Sequence, residues 1–189
     1  MIPGINPVTL MIAAPLAPLA AAFLIPLCHR WPNLREGVTL IAAATLAVIV
    51  WSLLPHVLAG ARPELTLIRV LPGLDLAFRV EPLGMLFALV AGSLWFVNSV
   101  YSLGYMRGNN EPRQTTFYLA FAVAIAAAIA LAFSANLFTL FLFYEVLSLS
   151  TYPLVTHKGT DAAKRAGRVY LGMLVGSSMM LMLPAIILT

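Results

Sequence analysis

The chain has 189 residues, of which 61% are hydrophobic and only 10% charged, with a mean hydropathy of +0.95. Soluble domains carry about 25% charged residues, so this composition excludes an ordinary water-soluble domain and calls for a count of membrane spans. The net charge of +4 comes from basic residues between apolar runs, not along one patterned face, which argues against nucleic acid as a partner, and a single cysteine, Cys28, excludes an internal disulfide and any multi-cysteine metal or iron–sulfur site.

Six apolar stretches are long enough to cross a hydrocarbon core of about 30 Å, which takes about 20 residues of helix. They cover residues 8–27, 37–58, 83–103, 115–133, 137–156 and 169–188. None alternates apolar with polar residues as a barrel strand does. The predicted fold is therefore an all-α integral membrane bundle of six transmembrane helices, a single membrane domain over residues 1–189.

The first span contains Pro15, Pro18 and Pro26, which predict a local kink. No Lys or Arg precedes Arg30, and the run is longer than a typical signal-peptide core, so it is expected to remain as a span. After the second span, which has His56 near its outer end, two β-prone runs at 65–70 and 75–80 flank Leu71-Pro72-Gly73-Leu74. That pattern predicts a short extracytoplasmic β-hairpin between helices 2 and 3, read as a cover or contact surface and not as a site. The third span carries Asn98, an interhelical hydrogen-bonding or pathway residue. Only Ser134-Ala135-Asn136 separate the alanine-rich fourth span from the fifth, which demands a tight helical hairpin. In the sixth span Gly172 and Gly176 form a small-xxx-small pair, read as internal packing.

Orientation follows from the basic residues. Arg30, Arg35, Arg107, Arg113, Lys158, Lys164, Arg165 and Arg168 lie on one side, and Arg62, Arg69 and Arg79 on the other. The positive-inside rule places the first set in the cytoplasm and the N-terminus outside, in a multi-pass protein of a prokaryotic inner membrane. Trp31, Tyr101, Tyr105 and Tyr118, near span ends, suit an interfacial aromatic belt.

Glu145 is the one formally charged residue placed deep within an apolar run. A carboxylate at mid-membrane costs roughly 2.5 to 3.5 kcal/mol on insertion scales, which makes it a functional-site candidate. The alternative is a structural acid accepting hydrogen bonds from a neighbouring helix. Ser148 and Tyr152 follow at three and seven residues, so the three share one stripe of the helix, with Thr151 beside it. One carboxyl and several hydroxyls on one stripe could hold a short water chain for proton transfer. No cationic partner lies within the six spans.

Enzymatic alternatives find little support. The chain has no glycine-rich phosphate loop, no nucleophile elbow, and no metal-ligand spacing among His29, His56 and His157, which are read as solvated residues at span ends. No cofactor and no metal are expected, and no enzymatic activity of the chain by itself.

Four segments carry a family resemblance: Phe78-Arg79-Val80-Glu81-Pro82-Leu83-Gly84, Tyr101-Ser102-Leu103-Gly104-Tyr105-Met106, Leu140-Phe141-Leu142-Phe143-Tyr144-Glu145-Val146-Leu147, and the stretch from Thr151 through Tyr152-Pro153-Leu154-Val155-Thr156-His157-Lys158-Gly159 to Thr160. In order and spacing they resemble the antiporter-like subunits shared by multisubunit cation/proton antiporters and respiratory complex I. The last of them, with Ala166-Gly167-Arg168-Val169-Tyr170-Leu171-Gly172, is most similar to the D-type subunit of Mrp antiporters or its counterparts in membrane-bound hydrogenases. The resemblance implies a proton-translocating subunit in which Glu145 matches the family's fifth-helix glutamate, and that glutamate pairs in the family with a lysine on a broken seventh helix. It also implies, as partners, the lipid bilayer, protons, a monovalent cation if the complex is an exchanger, and other membrane subunits, one of which supplies lysine-bearing helices. Family members have about 14 helices, so a six-helix chain is a fragment, one product of a split gene, or a short relic that packs without pumping. A redox-driven complex I-like or hydrogenase assembly, and a non-pumping scaffold, are the alternatives.

Overall fold

The computed structural model describes residues 6–71 and 74–188, so the Pro72-Gly73 turn lies outside the described residues. The elements run α1 (Pro7–Leu27), α2 (Pro32–Leu58), β1 (Glu64–Leu71), β2 (Leu74–Arg79), α3 (Pro82–Gly108), α4 (Gln114–Ala132), α5 (Leu137–Val155) and α6 (Asp161–Leu188). All six helices are long and apolar enough to cross a membrane. The fold class is the predicted one.

Local sequence explains where the helices begin. Pro7, Pro32 and Pro82 occupy first helical positions, where the missing N–H costs nothing and the fixed φ suits a helix. Asn6 and Asn136 cap α1 and α5, their side chains accepting from Val8 N at 2.9 Å and Thr139 N at 2.8 Å. Three helices extend beyond the apolar runs. α2 starts at Pro32, α3 continues to Gly108 and α6 starts at Asp161, because a helix persists through polar residues that an apolar count leaves out.

α4 is the centre of the bundle. It packs against α1, α3 and α5, while α1 and α3 also pack on α2. Ala120, Ala122, Ala124, Ala126, Ala127 and Ala130 of α4 are buried, and their small side chains let neighbours approach closely. Gly84 serves the same end, since a Cβ there would run into the Ala132 carbonyl oxygen. α6 packs on α5 at the periphery, with 6% of its apolar stretch buried against 44% for α4.

The hairpin does more than cover. β1 and β2 pair antiparallel, Glu64 opposite Arg79 and Leu65 opposite Phe78, with irregularities between Thr66 and Ile68 and between Arg69 and Leu71. β2 then clasps the α4–α5 turn. Arg79 N donates to Phe133 O at 2.7 Å, Ala135 N to Ala77 O at 3.0 Å, Ala77 N to Thr139 Oγ1 at 3.0 Å, and Asn136 Nδ2 to Asp75 O at 2.7 Å. Phe78 also stacks at a tilt on Phe143 of α5, ring centroids 5.5 Å apart. The start of α5, and with it Glu145, is thus fixed by the hairpin. The ion pairs among Arg62, Glu64, Arg79 and Glu81 span 3.0 to 3.9 Å on exposed side chains and add little.

Candidate functional site

α5 carries two faces. Phe143 and Val146 line an apolar cleft of about 190 Å³ between α1, α4 and α5, closed at the hairpin end by Leu67 and Phe78. Glu145 turns instead to α6. It is half-buried, and the buried Ser178 hydroxyl donates to its Oε1 while also lying 2.9 Å from Val175 O. Among the described residues no ion pair includes Glu145.

The remaining stripe residues continue along the α5–α6 seam. Ser148 is buried, and Thr151 and Tyr152 are half-buried. Thr151 Oγ1 donates back to Ser148 O at 2.7 Å. The edge of the Tyr152 ring lies so near Gly167 of α6 that a Cβ there would come within 3.2 Å of it. Asn98 is not brought to this stripe. It lies on α3, beside Leu94, Tyr101 and Phe121 in a cleft between α3 and α4.

A second charged cluster escapes the sequence reading. Arg35 and Glu36, in the first turns of α2, are 5% and 4% exposed. Arg35 donates to Gln114 Oε1 at 2.7 Å, Thr115 Oγ1 at 3.1 Å and Glu36 Oε1 at 3.3 Å. Arg107 of α3 donates to both Glu36 oxygens and to Asn33. The Arg35 guanidinium lies 5.3 Å from the centre of the Tyr118 ring. Tyr118 is therefore a buried packing residue, 2% exposed, and not a member of an interfacial belt, whereas Trp31, Tyr101 and Tyr105 are exposed. A run taken to start at residue 37 hides the cluster. The signal that could have found it is Pro32, a first-turn proline that puts Arg35 and Glu36 inside the helix.

His157 is also misread from the sequence. It is no solvated end residue: its Nε2 lies 3.7 Å from Glu111 Oε2, with side chains 14% and 21% exposed, and its ring meets Phe117 edge-on. Glu111 belongs to the α3–α4 connection, so no helical spacing relates the two.

Gly172 and Gly176 depart from expectation too. A Cβ at either would meet nothing within 4 Å among the described residues, so the pair looks outward from the bundle.

No family profile matches the chain. It is 26% identical over 105 residues to NAD(P)H-quinone oxidoreductase subunit 5 of the Paulinella chromatophora organellar chromatophore, and 29% identical over 109 residues to hydrogenase-4 component B of Escherichia coli. These matches take in 54% and 58% of the chain but 16% of each relative. A chain of the membrane-bound sulfane sulfur reductase, an archaeal respiratory membrane complex, shares the fold with a TM-score of 0.70 over 87% of this chain and 33% of its own length, at 21% identity. The chain is thus similar in sequence to part of a quinone oxidoreductase subunit and part of a hydrogenase component, spans about a sixth of the length of each, and shares its fold with part of a chain of a respiratory membrane complex.

Proposed function

We propose that this chain is a proton-translocating subunit of a multisubunit membrane complex, with Glu145 as its intramembrane proton carrier and Ser148, Thr151 and Tyr152 lining the route. The observation that carries this reading is the setting of Glu145: a half-buried carboxyl on a membrane helix, held by one hydroxyl, with no ion-pair partner among the described residues. A structural acid would have its oxygens satisfied by several donors. This one keeps acceptor capacity for water or for a cation.

The partner is another membrane subunit that brings a lysine to within about 4 to 6 Å of Glu145, where a positive charge favours the ionised carboxyl. Withdrawal of that cation raises the proton affinity of the acid and loads it, and its return releases the proton. The coupling is strong because charges interact strongly in low-dielectric surroundings. Asn98 stands on α3, apart from the α5 stripe.

The last motif segment, Thr151 to Thr160 with Ala166 to Gly172, favours a monovalent cation/proton antiporter of the Mrp type, and the distribution of Lys and Arg between the spans favours a prokaryotic inner membrane with the N-terminus outside. A redox-driven assembly is the second reading, favoured by the names of the relatives, a quinone oxidoreductase subunit and a hydrogenase component. Isolation of the complex separates the two. Copurifying iron–sulfur or hydrogenase subunits favour the redox reading, and membrane subunits alone favour the antiporter. For the carrier itself the test is Glu145→Gln, which is expected to abolish proton transport in vesicles while the complex still assembles. Transport at the unaltered rate would reject the relay.

A further inference from the structure

His157 sits immediately beyond the end of α5, at the end of the bundle where the basic connections meet. The polar stripe leads to it: Glu145, Ser148, Tyr152 and Thr156 follow at zero, three, seven and eleven residues, and His157 comes next. Its imidazole has a neighbour on two sides, and its backbone is held as well. Glu111 Oε2 lies 3.7 Å from Nε2, Phe117 packs edge-on at 5.6 Å between ring centres, and Arg113 clamps the backbone by donating to the carbonyl oxygens of Thr156, at 3.1 Å, and of His157 itself.

The charged groups around it are few. From the α3–α4 connection come Glu111, facing the ring, and Arg113, facing the carbonyls. α4 contributes the apolar Phe117. Lys158 is its exposed neighbour in the chain, and on α6 Asp161 and Lys164 pair with each other at 3.8 Å. Arg165 and Arg168 follow on the same turns of α6, and the one ion-pair contact of the imidazole among the described residues is to the Glu111 carboxylate. Nε2 is buried with no hydrogen-bond partner there, which leaves it free to take a water or a proton.

We propose that the His157–Glu111 pair is the proton-exchange group that connects the solution at the basic end with Glu145. Histidine is suited to this because its side chain changes charge near neutral pH. Glu111 holds the imidazolium while a proton waits. An N–H bond of the imidazolium then breaks, the proton passes through water and the hydroxyls of Tyr152 and Ser148, and an O–H bond forms on the Glu145 carboxylate. The neutral imidazole takes its next proton from solution.

This proposal rests on the Glu145 relay, and the experiment keeps the two apart. Proton transport is measured against pH in vesicles holding the whole complex, for the unaltered protein, His157→Ala, His157→Gln and Glu145→Gln, with and without imidazole added to the solution on the basic side. Both His157 variants are expected to lose at least about tenfold in rate. The dependence on pH near neutrality should flatten, and imidazole should restore transport to His157→Ala but not to Glu145→Gln. Unaltered rate and pH profile in the His157 variants, while Glu145→Gln is inactive, would overturn the exchange role and leave the relay standing. A loss in both His157 variants that imidazole does not restore would overturn it as well, by assigning His157 to loop structure.

Discussion

The Ser178 hydroxyl is the one protein donor to Glu145 among the described residues, and it belongs to a different helix. Hydrogen bonds to charged groups contribute about 1.5 to 3 kcal/mol. Ser178→Ala is therefore expected to slow proton transport without abolishing it, and Ser178→Thr, which keeps the hydroxyl, to retain most of the rate in the same vesicle assay. Glu145 was legible in the sequence because an acid amid Phe, Leu and Tyr breaks the composition of its surroundings. Ser178 was not legible as its partner, since the two are 33 positions apart and only the crossing of α5 with α6 joins them. That Ser148 and Tyr152 share a helical stripe with Glu145 follows from the helical period alone. Asn98 was not separable from them by any rule of spacing, because its distance from the stripe is set by α4 lying between α3 and α5.

At the scale of elements, the ends of the helices are where sequence reading falls short. Hydropathy finds the part of a helix that lipid would cover, and polar helical turns beyond it go uncounted. In α2 those turns hold Arg35 and Glu36, which tie α2 to Arg107 of α3 and to Gln114 and Thr115 of α4. Removing one partner of a buried ion pair costs about 3 to 5 kcal/mol, because the other charge is left uncompensated. Glu36→Ala is thus expected to lower stability by that order, read as earlier unfolding in a denaturing-detergent titration, whereas Lys164→Ala, which breaks only an exposed pair at 3.8 Å, should be near neutral. Gly84→Leu is expected to be destabilising as well, since the added side chain would drive the first turn of α3 off the Ala132 carbonyl. The β-hairpin was legible from its two runs and its Pro-Gly turn. Its grip on the α4–α5 turn was not, because Arg79 meets Phe133 and Ala77 meets Ala135 through backbone groups that every residue carries.

For the whole molecule, the gradient of burial from α4 out to α6 separates a closed side from an open one. On the open side lie Gly172 and Gly176, and Glu145 keeps unused acceptor capacity on the adjoining α5. Gly176→Leu is therefore expected to reduce copurification of neighbouring membrane subunits while leaving the six-helix fold intact, as read by circular dichroism of the purified chain. The all-helical membrane class was legible from composition, and a count of apolar runs returned every helix among the described residues. The arrangement of those helices, with α4 central and α6 peripheral, was not, because lipid-facing and protein-facing surfaces of a membrane helix are equally apolar. On the proposed reading, the Glu145 carboxyl gains and loses a proton as the complex turns over. Infrared difference spectroscopy of the reconstituted complex, recorded with and without an imposed proton gradient, tests it most directly. A carboxyl C=O band that rises and falls with transport and is missing in Glu145→Gln is the predicted result, and a spectrum identical in the two proteins during transport would contradict the account.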